Sequence, residues 1–210
     1  GLTPQPTGHK WSLQGGKSLF YVLDNTIATK VNCTIATNGK GQQIRAELYS
    51  PEGFHGRYEG DRELKVGTDQ SKPGRWLLVL HGGFSPTEQV RVTLSCPQQG
   101  VYRTPAWELH PLVSGGKEQA VYSFELTSAG SLLVHLLKPQ GISEVQVYLT
   151  YSGGAPAAQS INWDINRADA TFYLGNPPPG EYRIVLVSPV GQRVDIYAVS
   201  PEGGVRGVGQ

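Results

Sequence analysis

Methionine is missing from the whole 210-residue chain, position 1 included. With the start Gly1-Leu2-Thr3-Pro4, that absence reads as a processed N-terminus from which a signal peptide carrying the initiator methionine has been removed; a trimmed chain is the alternative. No apolar run approaches the roughly 18 residues of a membrane span, so no membrane-spanning helix is expected. No segment carries apolar residues at helical spacing either. Without helices there is no helix N-terminus for a Gly-rich loop to precede, and phosphate cradles of that kind are excluded. Neither sign of charge dominates: 18 Lys and Arg stand against 17 Asp and Glu, spread along the chain for a net charge of +1. The sequence has no Lys/Arg cluster, which argues against nucleic acid or an anionic membrane as partner.

Glycine and proline are plentiful, at 27 and 15. Val, Thr, Tyr, Leu and Ile fill the stretches between them, the composition of short strands joined by turns. The organising stretch is Pro73-Gly74-Arg75-Trp76-Leu77-Leu78-Val79-Leu80, a Pro-Gly turn feeding an aromatic, apolar strand. It returns as Pro179-Gly180-Glu181-Tyr182-Arg183-Ile184-Val185-Leu186-Val187. One more alternating strand follows each copy, Val90-Arg91-Val92-Thr93-Leu94-Ser95-Cys96 and Val194-Asp195-Ile196-Tyr197-Ala198. Earlier landmarks repeat as well: Trp11-Ser12-Leu13 with Gly15-Gly16-Lys17, and Trp107-Glu108-Leu109 with Gly115-Gly116-Lys117. Paired strands are expected at 19–23 and 30–37, and again at 120–126 and 131–137. Gln43-Ile44-Arg45-Ala46-Glu47-Leu48-Tyr49 and Glu144-Val145-Gln146-Val147-Tyr148-Leu149 alternate with period two, the mark of a half-buried strand. The expected fold is all-β: two tandem jelly-roll or Greek-key-like antiparallel β-sandwiches over 11–97 and 107–200. A linker at 98–106 joins them, an extended segment at 1–10 precedes them and a Gly-rich tail at 201–210 follows.

This order of Phe20-Tyr21-Val22-Leu23, a Val/Thr-rich strand, Ala46-Glu47-Leu48-Tyr49-Ser50-Pro51, a Pro-Gly-aromatic strand and a last alternating strand resembles the bacterial pre-peptidase C-terminal domain. That domain is a jelly-roll-like β-sandwich appended to secreted peptidases and related to collagen-binding modules. The resemblance spans 11–97 and 107–200 and implies a module that accompanies a secreted hydrolase and holds its substrate. The family usually has Asp before the Leu-Tyr strand. Ala46 and Val147 stand there, so no family-like calcium or polar role is carried over.

Few residues offer chemistry. Cys33 and Cys96 are the only cysteines. Each shares a strand face with apolar neighbours, Val31 and Ile35 for one and Val92 and Leu94 for the other, so both thiols are expected to point inward. A Cys33–Cys96 disulfide is the expected outcome and fits an oxidising compartment; two separate buried thiols are the alternative. Asn32-Cys33-Thr34 is a glycosylation sequon, and Asn32 lies on the face opposite Cys33, where it is exposed. His81-Gly82-Gly83 after a strand has the form of an esterase oxyanion loop, but no Gly-x-Ser-x-Gly elbow and no α/β pattern accompany it, so it reads as a turn. His9, His55, His81, His110 and His135 are scattered, near no Cys or carboxylate at ligand spacing, and no metal or cofactor is expected. Asp164-Ile165-Asn166-Arg167-Ala168-Asp169 has oxygen ligands close together, with Arg167 set against a calcium site. Trp11, Trp76, Trp107 and Tyr182 recur by repeat and read as core or anchor positions. Trp163, which has no counterpart, is the candidate for an exposed contact with a partner or ligand.

No catalytic constellation is legible, so the chain reads as non-enzymatic. The leading expectation is a secreted or cell-surface structural protein whose tandem sandwiches self-assemble into a filament, layer or adhesive surface. A substrate-binding module pair of a secreted hydrolase, with polysaccharide or a collagen-like matrix protein as ligand, is the alternative. Residues 1–10 are poor in apolar side chains. Leu2, Pro4 and Pro6 supply their only grip, and the amides of Thr3, Gln5 and Thr7 fall on one edge. This segment is expected to pair with an open strand of another subunit, with packing on its own sandwich as the alternative.

Overall fold

The structure, a computed structural model, describes residues 3–4, 9–14, 17–27, 30–37, 44–69, 72–82, 89–96, 100–153 and 159–208, with the backbone alone at 3–4, 9–14 and 89–90. The described chain is all-β, and every ladder between its strands is antiparallel. It divides into two units, Gly1–Pro105 and Ala106–Gln210.

The first unit runs β1 (Thr3–Pro4), β2 (His9–Gln14), β3 (Ser18–Asn25), β4 (Asn32–Thr37), β5 (Ile44–Ser50), β6 (Gly53–Gly60), β7 (Glu63–Gly67), β8 (Gly74–His81), β9 (Gln89–Ser95) and β10 (Gly100–Arg103). One sheet has the order β1-β10-β3-β8-β5-β6 and the other β2-β9-β4-β7. Tyr21, Leu23, Trp76 and Leu78 of the larger sheet meet Cys33, Ile35, Val92 and Leu94 of the smaller in a single buried cluster. The second unit runs β11 (Trp107–Leu109), β12 (Leu112–Val113), β13 (Ala120–Leu126), β14 (Leu132–Leu137), β15 (Val145–Tyr151), β16 (Gln159–Trp163), β17 (Asp169–Leu174), β18 (Gly180–Val187), β19 (Gln192–Arg193), β20 (Asp195–Val199) and β21 (Val205–Gly207). Its sheets are β16-β15-β18-β13-β21 and β11-β20-β14-β17, with a small β12-β19 ribbon. Phe124, Tyr182 and Ile184 of one sheet pack with Val134, Phe172 and Ile196 of the other.

The two strand orders are the same. With Trp76 matched to Tyr182, β10-β3-β8-β5-β6 becomes β21-β13-β18-β15-β16, and β2-β9-β4-β7 becomes β11-β20-β14-β17. Among the described residues, β1 and the β12-β19 ribbon are the parts of the sheets without a counterpart in the other unit.

The Pro-Gly turn works identically in both copies. Gly74 and Gly180 hold φ of +130° and +140°, values that a side chain would strain. An added Cβ would also strike Pro51 at 2.7 Å in one copy and the Tyr151 ring at 2.9 Å in the other. The aromatic two residues on then bonds back across the turn. Trp76 Nε1 donates to the Lys72 carbonyl at 3.0 Å, and the Tyr182 hydroxyl donates to the Pro178 carbonyl at 2.7 Å. The Lys72 carbonyl also accepts the Asn25 amide at 2.7 Å. Each ring is thus buried in its core and pinned to the turn that launches its strand.

Burial pushes the Tyr182 hydroxyl up from 10.0 to about 12, and the neighbouring Tyr151 acts in the same direction. A phenol raised on folding contributes stability that is complete below pH 10 and lost as pH climbs towards about 12. Chemical unfolding of the second unit at pH 9 and pH 11.5 is expected to show this fall in the native chain. Tyr182→Phe should reduce it, leaving the part due to Tyr122, whose hydroxyl is also raised by burial, and an equal pH slope in both chains would refute the assignment.

Several segments differ from the sequence-based expectation. The linker contains β10, which pairs with β3 along Gly100↔Asp24 to Arg103↔Tyr21. The tail contains β21, which pairs with β13. These are the same closing strand of the repeat. The expected alternation also fails along β20, where every residue is buried; β14 is buried throughout as well, and on β3 Phe20 and Val22 are as buried as Tyr21 and Leu23. A strand buried on both faces reads as a continuous apolar run.

Candidate functional site

Cys33 lies on β4 and Cys96 just beyond β9, its neighbour in the sheet. The ladder Thr34↔Ser95 extended by one residue puts the two cysteines face to face. They form a disulfide with Cα atoms 4.2 Å apart, both fully buried. The bond fits an oxidising compartment. Asn32, one residue away, points out and is exposed. It lines a shallow groove of about 420 Å³ together with Lys30, Lys65, Gly67, Thr68 and Asp69. The sequon side chain is therefore on an accessible rim between β4 and β7.

The sheets gather polar groups that lie far apart in the chain. In the first unit, β3, β8 and β5 are neighbours, and they set Ser18, His81 and Glu47 in a row. The Ser18 hydroxyl lies 2.8 Å from His81 Nδ1, and His81 Nε2 lies 3.7 Å from Glu47 Oε1. A serine, histidine and carboxylate in line have the composition of a nucleophilic triad. Glu47 is 1% exposed, and its oxygens accept from Tyr49 at 2.7 Å and Arg57 at 3.0 Å. Ser18 and His81 are buried as well. In the second unit, His110 Nδ1 sits 2.7 Å from Asp195 Oδ1, which also accepts Arg193 Nε at 2.9 Å. These carboxylate partners of His81 and His110 are absent from sequence spacing, because strand pairing brings them together. His110 and Asp195 are 85 residues apart.

Trp163 is not an exposed contact: it is 1% exposed and belongs to the second core. It ends the edge strand β16, pairs across from Val145, and points inward two residues after the half-buried Ile161. Its Nε1 donates to the Arg167 carbonyl at 2.8 Å. The Lys138 ammonium sits over its ring, 4.6 Å from the centroid, and donates to the carbonyls of Ser143 and Asp164 at 2.9 and 2.8 Å. Burial lowers the Lys138 pKa, with Asp164 and Glu144 acting the other way. The Asp164–Asp169 stretch turns the chain here. The Arg167 amide donates to the Asp164 carbonyl, and the Asn166 amide to its carboxylate. The Ile161-x-Trp163 alternation was the signal that points this ring inward.

The N-terminal segment pairs within its own chain. Thr3 lies opposite Arg103 and Pro4 opposite Tyr102 on β10, and His9 and Lys10 open β2 on β9. For the described part, the pairing is the one expected of packing on its own sandwich. The register has a physical reason. The Thr104 amide donates to the Phe20 carbonyl, so even-numbered residues of β10 bond to β3 and the amides of Val101 and Arg103 face outward. Pro4, which has no amide hydrogen, falls at a position that needs none. Leu2 and Pro6 lie outside the described residues.

No protein-family model matches the chain, and no curated protein matches it significantly. Among solved structures, a candidate alpha-L-fucosidase from Bacteroides ovatus aligns with 100% of this chain at 13% identity and a TM-score of 0.28. The chain spans 38% of the length of that protein.

Proposed function

We propose that the chain is a non-catalytic, extracellular structural protein, a tandem β-sandwich subunit that self-assembles into a filament, layer or adhesive surface. The supporting observation is its serial construction. In each sandwich the last strand of the repeat, β10 or β21, adds to the edge of the larger sheet after both sheets are otherwise complete. The outer edge of β10 carries a further extended segment, β1. Sheet edges that take on added strands bind by main-chain hydrogen bonds and need no ligand pocket. In the row that resembles a catalytic triad, Ser18, His81 and Glu47 are all buried, which fits a scaffold. The disulfide suits an oxidising exterior, and Asn32 is the proposed glycan acceptor where the source has the machinery.

Electron microscopy of the native material is the direct test. Fibres or sheets containing the chain are expected. A chain that purifies as a monomer and stays one at high concentration would remove this reading, and retention on insoluble polysaccharide or collagen would favour the accessory-module alternative.

A further inference from the structure

We propose that the outer edge of β21 docks the N-terminal segment of a second copy of this chain, in the register that Thr3–Pro4 takes on β10. The inference rests on the self-assembly reading and names its contact. The carrying observation is the repeat. The 106-residue offset that relates Trp76 to Tyr182 also relates Val101 to Gly207 and Tyr102 to Val208, because β10 and β21 hold equivalent places beside β3 and β13. On β10 that edge is covered by β1. Among the described residues no strand covers β21.

The cause lies in the connectivity. The segment just before β11, which would play the part of β1 for the second sandwich, is β10 itself and is already committed to the first sheet. The edge it leaves is chemically equivalent. The Thr127 amide donates to the Gly204 carbonyl, so even-numbered residues of β21 bond to β13 and the amides of Val205 and Gly207 face outward. Val208 is 38% exposed beside them. Carrying the β1 register over puts Pro4 of the second copy opposite Val208 and Gln5 opposite Gly207. The prolines then fall where no amide is needed, and Gln5 can exchange two hydrogen bonds with Gly207. The contact is heterologous and repeats along a series of copies. Each chain has one arm and two equivalent edges, so docking between copies competes with own-edge pairing and rises with concentration.

The probe is a peptide of residues 1–8 titrated by NMR into the full chain, into a chain lacking 1–8, and into Gly207→Pro versions of both. One peptide is expected per full chain and two per truncated chain. Gly207→Pro should lower these to none and one, since proline removes an outward amide without touching the ladder to β13. Hydrogen exchange on the native full chain is the second measurement: the Gly207 amide should gain at least tenfold protection at peptide saturation. No peptide uptake by the full chain, or uptake without protection of Gly207, overturns the proposal even if the proline variants fail to fold. Polymers that form normally from a folded Gly207→Pro chain would also overturn the docking edge while leaving the assembly reading in place. Peptide docking at Gly207 in a chain that never polymerises supports the edge and removes the assembly reading.

Discussion

Trp76→Ala is expected to destabilise the first sandwich by about 3–5 kcal/mol, the range for emptying a large buried aromatic site. Three features put this position at the upper end. The indole is fully buried among residues of both sheets, so its removal leaves a cavity shared by both. Its strand is central, with β3 on one side and β5 on the other, which limits how far the backbone can collapse inward. Its Nε1 also holds the Lys72 carbonyl, so the variant loosens the turn as well as the core. Trp76→Phe separates the terms: it keeps most of the ring and loses the hydrogen bond, and should cost about half as much. Urea unfolding of the first unit, with the second as reference, measures both. Equal midpoints for native chain and Trp76→Ala would mean that the ring contributes nothing to this core.

Trp76 and Tyr182 were legible because turn chemistry and strand pattern agree there. Pro73-Gly74 and Pro179-Gly180 announce a reversal, and an aromatic two residues later has only the core to enter. The all-β class and the inward-facing cysteines were legible for the same reason, since a strand face is read directly from period two. The edge strands were not. β6 has no buried residue, and β10 and β21 are short and hold glycine; what makes them strands is a partner distant in sequence. Local pattern does not encode such pairings, so the closing strands looked like a linker and a tail. Trp163 was misplaced because a ring without a counterpart in the repeat suggested a surface role. The buried Lys138 stacked over it gives the ring a structural role in the second core. The Ser18–His81 contact lay out of reach altogether, because its members are 63 residues apart and meet only through the β3–β8 ladder.

Removing the Cys33–Cys96 disulfide is expected to cost about 4 kcal/mol, nearly all of it in the first sandwich. The closed loop spans 63 residues, and the chain-entropy relation gives about 4 kcal/mol for a loop of that length. The loop encloses β5 to β9 and all of β4 but Asn32, so the staple restrains the unfolded forms of more than half of the unit. In the folded state the bond joins neighbouring strands already held by the β4–β9 ladder, which is why its effect falls mainly on the unfolded chain. Cys33→Ala with Cys96→Ala suits the test better than serine, which would bury two hydroxyls at 0% exposure and add a separate penalty. The second sandwich holds no cysteine, so its unfolding in the same sample is the reference. A shift under about 1 kcal/mol would mean that the loop is already compact in the unfolded chain. Two free thiols after non-reducing alkylation would mean that the bond is not made. A loss near 4 kcal/mol would take up much of the stability that a domain of this size usually has, making the first sandwich dependent on an oxidising environment.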